Sequence, residues 1–492
     1  MRFPATDSRY GNLPVYGAGL LFILGNALFM LQGYYFFLLF ALIPAVVYLA
    51  FFSLNRLYMA VVFLTPLSVE LSRFVGGLSF DVSLPTEPLI VIISLVVLLR
   101  MIHYREISRE VVCHPLSLSI IFYLIWLLIT TLTSTMPVVS IKFLLARFWF
   151  ILLFYFLAIH LFSRRGNISV FLGCYIAGLF IVIIYTLFNH AGYGFLSHSA
   201  AHLMVRPFYN DHTAYGAALA MFIPVLAAFA LREKAGPHGW LTWILTVVFL
   251  TALVFSHSRA AWLSVAAAMV VWVPVRLKIR FVPLLLFTLV AGGLVFMLRN
   301  DIVREMEKNT QDSSANFQEH IRSITNISSD ASNLERINRW KAALAMHREK
   351  PLLGWGPGTY MFRYAPFQYS YDRTIISTNF ADGGDAHSEY LGPLSETGLP
   401  GMLSFMLVAA IALYTGFRLP GVLKKRKDRI LVTGVLLGLV TYLVHGVLNN
   451  FLHSDKAAVP FWGFAAILVA MDLYGKKNSR EGRGKISPDP EN

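Results

Sequence analysis

Charge is scarce in this chain. Only 14% of its 492 residues are Asp, Glu, Lys or Arg, against roughly 25% in soluble domains. Hydrophobic residues make up 57% and mean hydropathy is +0.62, which excludes an ordinary soluble globule. Cysteine is scarcer still. Cys113 and Cys174 are the only two and have no CxxC spacing, so no disulfide framework, redox pair or zinc site is expected. The opening "MRFPATDSRYGNLP" lacks a short apolar core followed by a small-residue cleavage site, so a removable signal peptide is not expected. No internal repeat is visible.

Long apolar runs fill the chain instead. Candidate spans are 13–31, 34–53, 57–69, 86–102, 115–134, 141–162, 168–188, 213–231, 239–256, 260–275, 281–298, 400–417, 429–446 and 459–474. Most are long enough to cross roughly 30 Å of hydrocarbon. The expected fold class is an all-α polytopic membrane protein with about 12–14 transmembrane helices. Residues 1–298 carry transmembrane helices, 299–399 form one long extracytoplasmic loop containing helices, and 400–474 return to C-terminal transmembrane helices. Residues 475–492, rich in Lys, Arg, Gly, Ser and Pro, are expected to be a disordered cytoplasmic tail.

A net charge of +14 would suit a nucleic-acid partner, but its placement argues for topology. "SRRGN" (163–167), "REKAGPH" (232–238), "RLKIR" (276–280), "LPGVLKKRKDR" (419–429) and the tail "GKKNSREGRGK" (475–485) fall on one side of the predicted spans. Basic short loops mark the cytoplasm. The other side receives 134–140, 189–212, 256–260, 299–399 and 446–458, and residues 300–398 hold ten Lys/Arg against thirteen Asp/Glu. No nucleic-acid partner is expected. The segments richest in reactive side chains all lie on that outer side.

Four of them could form one site. "MVRPFYNDHTAYG" (204–216) holds Arg206, Asn210, Asp211 and His212, with Asn210 and Asp211 placed to cap the next helix. "VFSHSRAAWLSV" (254–265) sets Arg259 in a tight turn between apolar runs, where charge is costly without a partner. In "SNLERINRWKAALAMHREKPLLGWGPGTYMF" (332–362), Ser332 and Glu335 have capping-box spacing, so a helix is expected to start there. Leu334, Ile337, Trp340 and Leu344 form its expected apolar stripe, with Arg336 and Arg339 on an adjoining face and Pro351 ending it. "GWGPG" (354–358) has neither a preceding strand nor a following GKS/T, which speaks against a nucleotide loop. "DGGDAHSEYLGPLSETGLPG" (382–401) gathers His387 with Asp382, Asp385, Glu389 and Glu396 just before a span. Asp382 and Asp385 read as turn formers around two glycines.

Together "RPFYNDHTAYG", "SHSRAAW", "RINRWKAALAMHREKPLLGWGPGTY" and "AHSEYLGPLSETGLPG" resemble, in order and spacing, the O-antigen ligase and O-antigen polymerase superfamily over about residues 200–475. The resemblance implies a membrane glycosyltransferase of the bacterial inner membrane with its active site facing the periplasm. Its donor would be an undecaprenyl-diphosphate-linked glycan, its acceptor lipid A-core or another glycan, and membrane lipid its surroundings. It implies His387 as the catalytic histidine and Arg206 and Arg259 as phosphate binders, with Arg336, Arg339, Asn210 and His212 as further substrate-binding residues. Two positions depart from the family pattern: Ser388 follows the histidine where Asn is usual, and Asn210-Asp211-His212 stands for an Asn-Pro-Asn-like turn.

The chemistry follows from the residue types. A glycosyl diphosphate is already activated, so no cofactor and no metal are expected. Guanidiniums bind two phosphate oxygens at once and would stabilise the leaving diphosphate. A histidine, with an ordinary pKa near about 6.5, suits removal of the acceptor's proton, and direct attack inverts the anomeric centre. The ligase is the leading expectation and the polymerase its alternative. A transporter would require charges along several spans, where only Arg147 stands out. A metal hydrolase built on His198 and His202 lacks an intervening Glu.

Overall fold

The computed structural model describes residues 24–25, 46, 48–50, 52–73, 82–104, 108–195, 198–232, 237–283, 286, 331–368 and 384–481. The expected spans 13–31, 34–53 and 281–298, and Asp382, lie almost wholly outside these residues. Helices α1 (Leu54–Leu64) and α2 (Thr86–Tyr104) come first. Then follow α3 (Pro115–Leu132), α4 (Pro137–Phe162), α5 (Arg165–Tyr193), α6 (His198–Met204), α7 (His212–Arg232), α8 (Pro237–Phe255) and α9 (Arg259–Arg276). After the long loop begins come α10 (Ala331–Glu349), α11 (Leu391–Glu396), α12 (Gly398–Val422), α13 (Arg426–His445) and α14 (Asp455–Glu481). Among the described residues, eight helices are long and apolar enough to cross a membrane: α3, α4, α5, α7, α9, α12, α13 and the Asp455–Tyr474 part of α14. The protein is an all-α polytopic membrane protein. A two-residue antiparallel pair, β1 (Val69–Glu70) with β2 (Ser83–Leu84), is a small addition to the expected class.

The helices are built inside out. On α3 the large residues Leu118, Phe122, Ile125, Ile129 and Leu132 are exposed along one stripe, while Ser117, Ser119, Thr130 and Thr131 are buried. In hydrocarbon no solvent penalty attaches to exposed leucine, and small polar residues let helices approach and bond to backbone carbonyls. Thr131 does this to Leu127 at 2.7 Å. At Gly438 a Cβ would come within 2.5 Å of the Met221 carbonyl oxygen, so only glycine permits the close packing of α13 on α7. The central post is α14, whose spanning segment is 89% buried. It also continues past Tyr474 to Glu481, so helix occupies the first part of the expected disordered tail.

The two ends of the bundle hold different polar contacts. At one end Arg165 pairs with Asp428 at 2.6 Å, His114 lies 3.3 Å from Asp472, and Arg418 also reaches Asp472. At the other, the Trp126 indole donates to the Thr397 carbonyl at 2.9 Å and Ser140 to the Pro357 carbonyl at 2.8 Å. Residues around Pro357 and Thr397 therefore gather over the ends of α3 and α4.

The loop helix differs from its expected pattern. It stops ahead of Pro351 as expected but already includes Ala331 and Ser332, so Ser332 lies within the helix and not at its cap; its buried residues are Glu335, Asn338, Arg339, Ala342, Ala343 and Met346. Leu344 is 40% exposed, and Ile337 and Trp340 are only half-buried. The two alanines let Tyr360 and Tyr364 pack against α10 in a small core separate from the bundle, so chain-to-chain fit overrode the apolar stripe.

A cysteine placed at Ser332, with the exposed Cys113 and half-exposed Cys174 replaced, should react with an impermeant thiol reagent in intact spheroplasts. Protection until lysis would reverse the orientation.

Candidate functional site

The site begins with a buried carboxylate. Glu389 is 6% exposed; its Oε1 accepts from the Tyr442 hydroxyl at 2.5 Å and from the Leu452 amide at 2.9 Å. Its own amide donates to the Gly446 carbonyl at 2.8 Å. The stretch before α11 is thus pinned to the turn joining α13 and α14. Arg147, 6% exposed in α4, donates to the Leu452 carbonyl of the same turn at 3.0 Å. A buried charge in a span needs such a partner.

The "GWGPG" segment is a clasp. Trp355 and Gly356 donate their amides to the carbonyls of Ser395 and Glu396 at 3.1 and 2.8 Å, and the Trp355 carbonyl accepts from Thr135 at 3.0 Å. Gly354 has φ +67°, and a Cβ there would come within 2.3 Å of the Glu396 carbonyl. The glycines thus serve close approach to the α11–α12 corner. Inside the clasp, Glu396 accepts from the Tyr360 amide at 3.0 Å. Burial pushes its carboxyl up from 4.5 to about 7; hydrogen bonds from the Tyr360 and Gly358 amides oppose this, and the Asp385 charge adds to it.

Above this corner sits His387, at φ +46°, a left-handed conformation that bulky residues seldom adopt. Asp385 holds it there. One carboxylate oxygen accepts from the His387 amide at 3.0 Å and lies 3.2 Å from its Nδ1. With its amide turned to donate, Asn450 places its nitrogen 3.0 and 2.8 Å from the two Asp385 oxygens. Arg339 supports the turn from beneath, donating to the Asp385 carbonyl at 3.1 Å and to Glu335 at 2.8 Å, with Tyr364 stacked 5.3 Å away. Burial pushes the His387 imidazole below its usual 6.5; Asp385 opposes this, and the Arg339 and Arg336 charges reinforce it. Its side chain remains 34% exposed.

The 204–216 segment closes on the 256–260 turn. A Cβ at Gly216 would sit 2.8 Å from the Ser258 Cβ, so glycine lets the start of α7 press on that turn. Ser258 caps α9 through the Ala261 amide, with Arg259 exposed at its first position. Asp211 caps α7 through the Thr213 amide at 3.1 Å, as expected, and lies 2.7 Å from His212 Nδ1. Burial opposes ionisation of Asp211, but hydrogen bonds from His212 and Thr213 outweigh it and hold the carboxyl well below the usual range. Asp211 also acts electrostatically on His387.

The expected site residues therefore divide. His387, Arg336 and Arg339 share one cluster, Arg206 and Arg259 are exposed at the same end, and His212 is mostly buried against Asp211. Asn210 donates its amide to Glu70. Asp385, read as a turn former, proves to be the partner of His387. Asn450 had no local signal beyond its place in a polar turn. His202, Asp211 and His212 bring ligand-type atoms within 4.8 Å of one another, and these three could hold a metal ion.

Residues 244–406 match the family model described as O-antigen ligase. This supports the resemblance to the O-antigen ligase and polymerase superfamily. The match contains Arg259, Arg336, Arg339 and His387 and leaves out Arg206, Asn210 and His212. A comparison with curated proteins finds no match.

Glu396 generates a pH prediction. Its folded pKa lies above the unfolded one, so the folded state keeps a proton that the unfolded state releases. That contribution is complete below about pH 4.5 and is lost as pH rises through about 7. Glu396→Gln should flatten the dependence of thermal stability on pH across that window. Identical slopes in both proteins would show that Glu396 does not titrate there.

Proposed function

We propose that this chain transfers a glycan from undecaprenyl diphosphate to an acceptor hydroxyl at the outer face of the bacterial inner membrane, as an O-antigen ligase acting on lipid A-core. The observation that carries this reading is the Asp385–His387 pair at the mouth of α12, within the O-antigen ligase match and beside Arg336. A polymerase acting on a second carrier-linked glycan would use the same chemistry. Incubating membranes with carrier-linked donor and defined acceptors, and seeing whether chains lengthen or move to lipid A-core, separates the two.

His387 acts as general base. Asp385 holds Nδ1, which leaves the neutral Nε2 to take the acceptor's proton. The acceptor oxygen attacks the anomeric carbon as the carbon–oxygen bond to the diphosphate breaks, with inversion, and undecaprenyl diphosphate leaves. His387 then returns its proton to solvent. Charge gathers on the diphosphate in the transition state, where Arg206, Arg259 and Arg336 stabilise it by paired hydrogen bonds. Arg339, expected as a substrate-binding residue, acts here as a positioning residue, because its guanidinium is occupied by Glu335 and the Asp385 carbonyl. Asn210, engaged by Glu70, positions its segment in the same way. Arg147 is bonded to the Leu452 carbonyl and supports the site from below, which does not favour a transport path.

His387→Ala should lower transfer by about 10²- to 10⁴-fold while the donor still binds. The acid limb of the rate profile should lie below pH 6.5, because the neutral form persists to lower pH when the imidazole is depressed. Near-normal transfer by His387→Ala would remove it from the mechanism. Arg206→Lys and Arg259→Lys keep the charge and lose the fork, so each should cost about 10-fold or more, the size of one hydrogen bond to a charged group. A loss below two-fold would make that arginine a membrane-edge residue only.

Arginines supply the charge neutralisation in this mechanism, so transfer should survive EDTA. Inactivation reversed by magnesium, manganese or zinc would point to the His202–Asp211–His212 group as a required metal site.

A further inference from the structure

A groove of about 1560 Å³ opens far from His387, at the basic end of the bundle between α7, α8, α9, α12 and α13. That exceeds the roughly 300–1,000 Å³ of an ordinary small-molecule pocket. Its walls are apolar and aromatic, with Trp243, Trp272 and Phe417 among them. Its rim is cationic: Arg276, Lys278, Arg280, Arg418, Arg426 and Arg429 line it, and no acidic residue does among the described residues. Arg418 is already paired with Asp472, but the Nε of Arg429 is buried without a hydrogen-bond partner, and buried donors of this kind ordinarily have an acceptor. Along α13 the lining runs from Arg426 to Leu437, about 16 Å of helix rise, or half of a roughly 30 Å hydrocarbon core. Depth and polarity thus match one membrane leaflet, with headgroups at the cations and acyl chains against the tryptophans.

We propose that this groove is a binding site for an acidic phospholipid, its phosphate held by the Arg276–Arg280 and Arg426–Arg429 cations and its acyl chains seated between α8, α9 and α13. Basic pockets between spanning helices recognise anionic headgroups in this way. The occupied lipid would brace the inner halves of the helices whose outer ends carry Arg259 and the α13–α14 turn.

Purified full-length protein in detergent can be titrated with phosphatidylglycerol carrying brominated acyl chains, and separately with phosphatidylcholine carrying the same chains, while tryptophan fluorescence is followed. Trp243 and Trp272 are 48% and 46% exposed, so bromine in the groove should quench them. Half-maximal quenching should need at least about five-fold less phosphatidylglycerol than phosphatidylcholine, and the preference should shrink about five-fold for each cation removed in Arg426→Gln and Arg429→Gln. Trp243→Phe with Trp272→Phe, on the native cations, should lower the quenching amplitude, which keeps the test decisive if the arginine variants do not fold. Equal titration by the two lipids, or an unchanged amplitude in the tryptophan variant, would overturn the site. Displacement of the brominated lipid by undecaprenyl phosphate at lower concentration than by unlabelled phosphatidylglycerol would also overturn it and assign the groove to the carrier.

Discussion

In hydrocarbon a backbone group without a partner costs several kcal/mol, so irregular chain survives only where protein or water satisfies it. This constraint arranges the molecule. Its non-helical motif segments, 205–211, 256–258, 350–359 and 384–390, all lie at one end of the bundle, and many of their polar groups are met by other loops, by buried carboxylates or by helix ends. Glu389 is the hardest-working of these partners: one carboxylate receives a hydroxyl and an amide from the α13–α14 region, and the His387 turn hangs from it. A greasy protein therefore holds its titratable groups where the chain returns to the membrane, because only there can they be both fixed and wetted.

The charged side chains fall into two kinds. Arg147, Arg339, Glu335, Glu389 and Glu396 are buried or clasped and serve to hold the architecture. Arg206 and Arg259 are exposed. His387 lies between the two, rigidly oriented through Asp385 yet partly open. In the mechanism we propose, such support would hold the imidazole at a fixed distance from the proton it removes. At the opposite end of the bundle a second set of cations rims an apolar groove.

What the chain alone determined was decided by composition and period. Apolar runs of spanning length impose helices, and Pro351 follows the end of α10, because each effect acts within a few residues. The histidine and arginine motifs were visible for the same reason, as local clusters of unusual residues. Pairing was not visible. Asp385 looked like a turn former and Arg339 like a substrate-binding residue, and the contacts they make come from far along the chain: Asn450 for Asp385 and the Asp385 carbonyl for Arg339. The buried face of α10 was set by the tyrosines it meets rather than by its own apolar stripe. Tertiary structure decided these points because hydrogen bonds and close packing depend on which surfaces meet, and local sequence carries the propensity of a segment but not the identity of its neighbour.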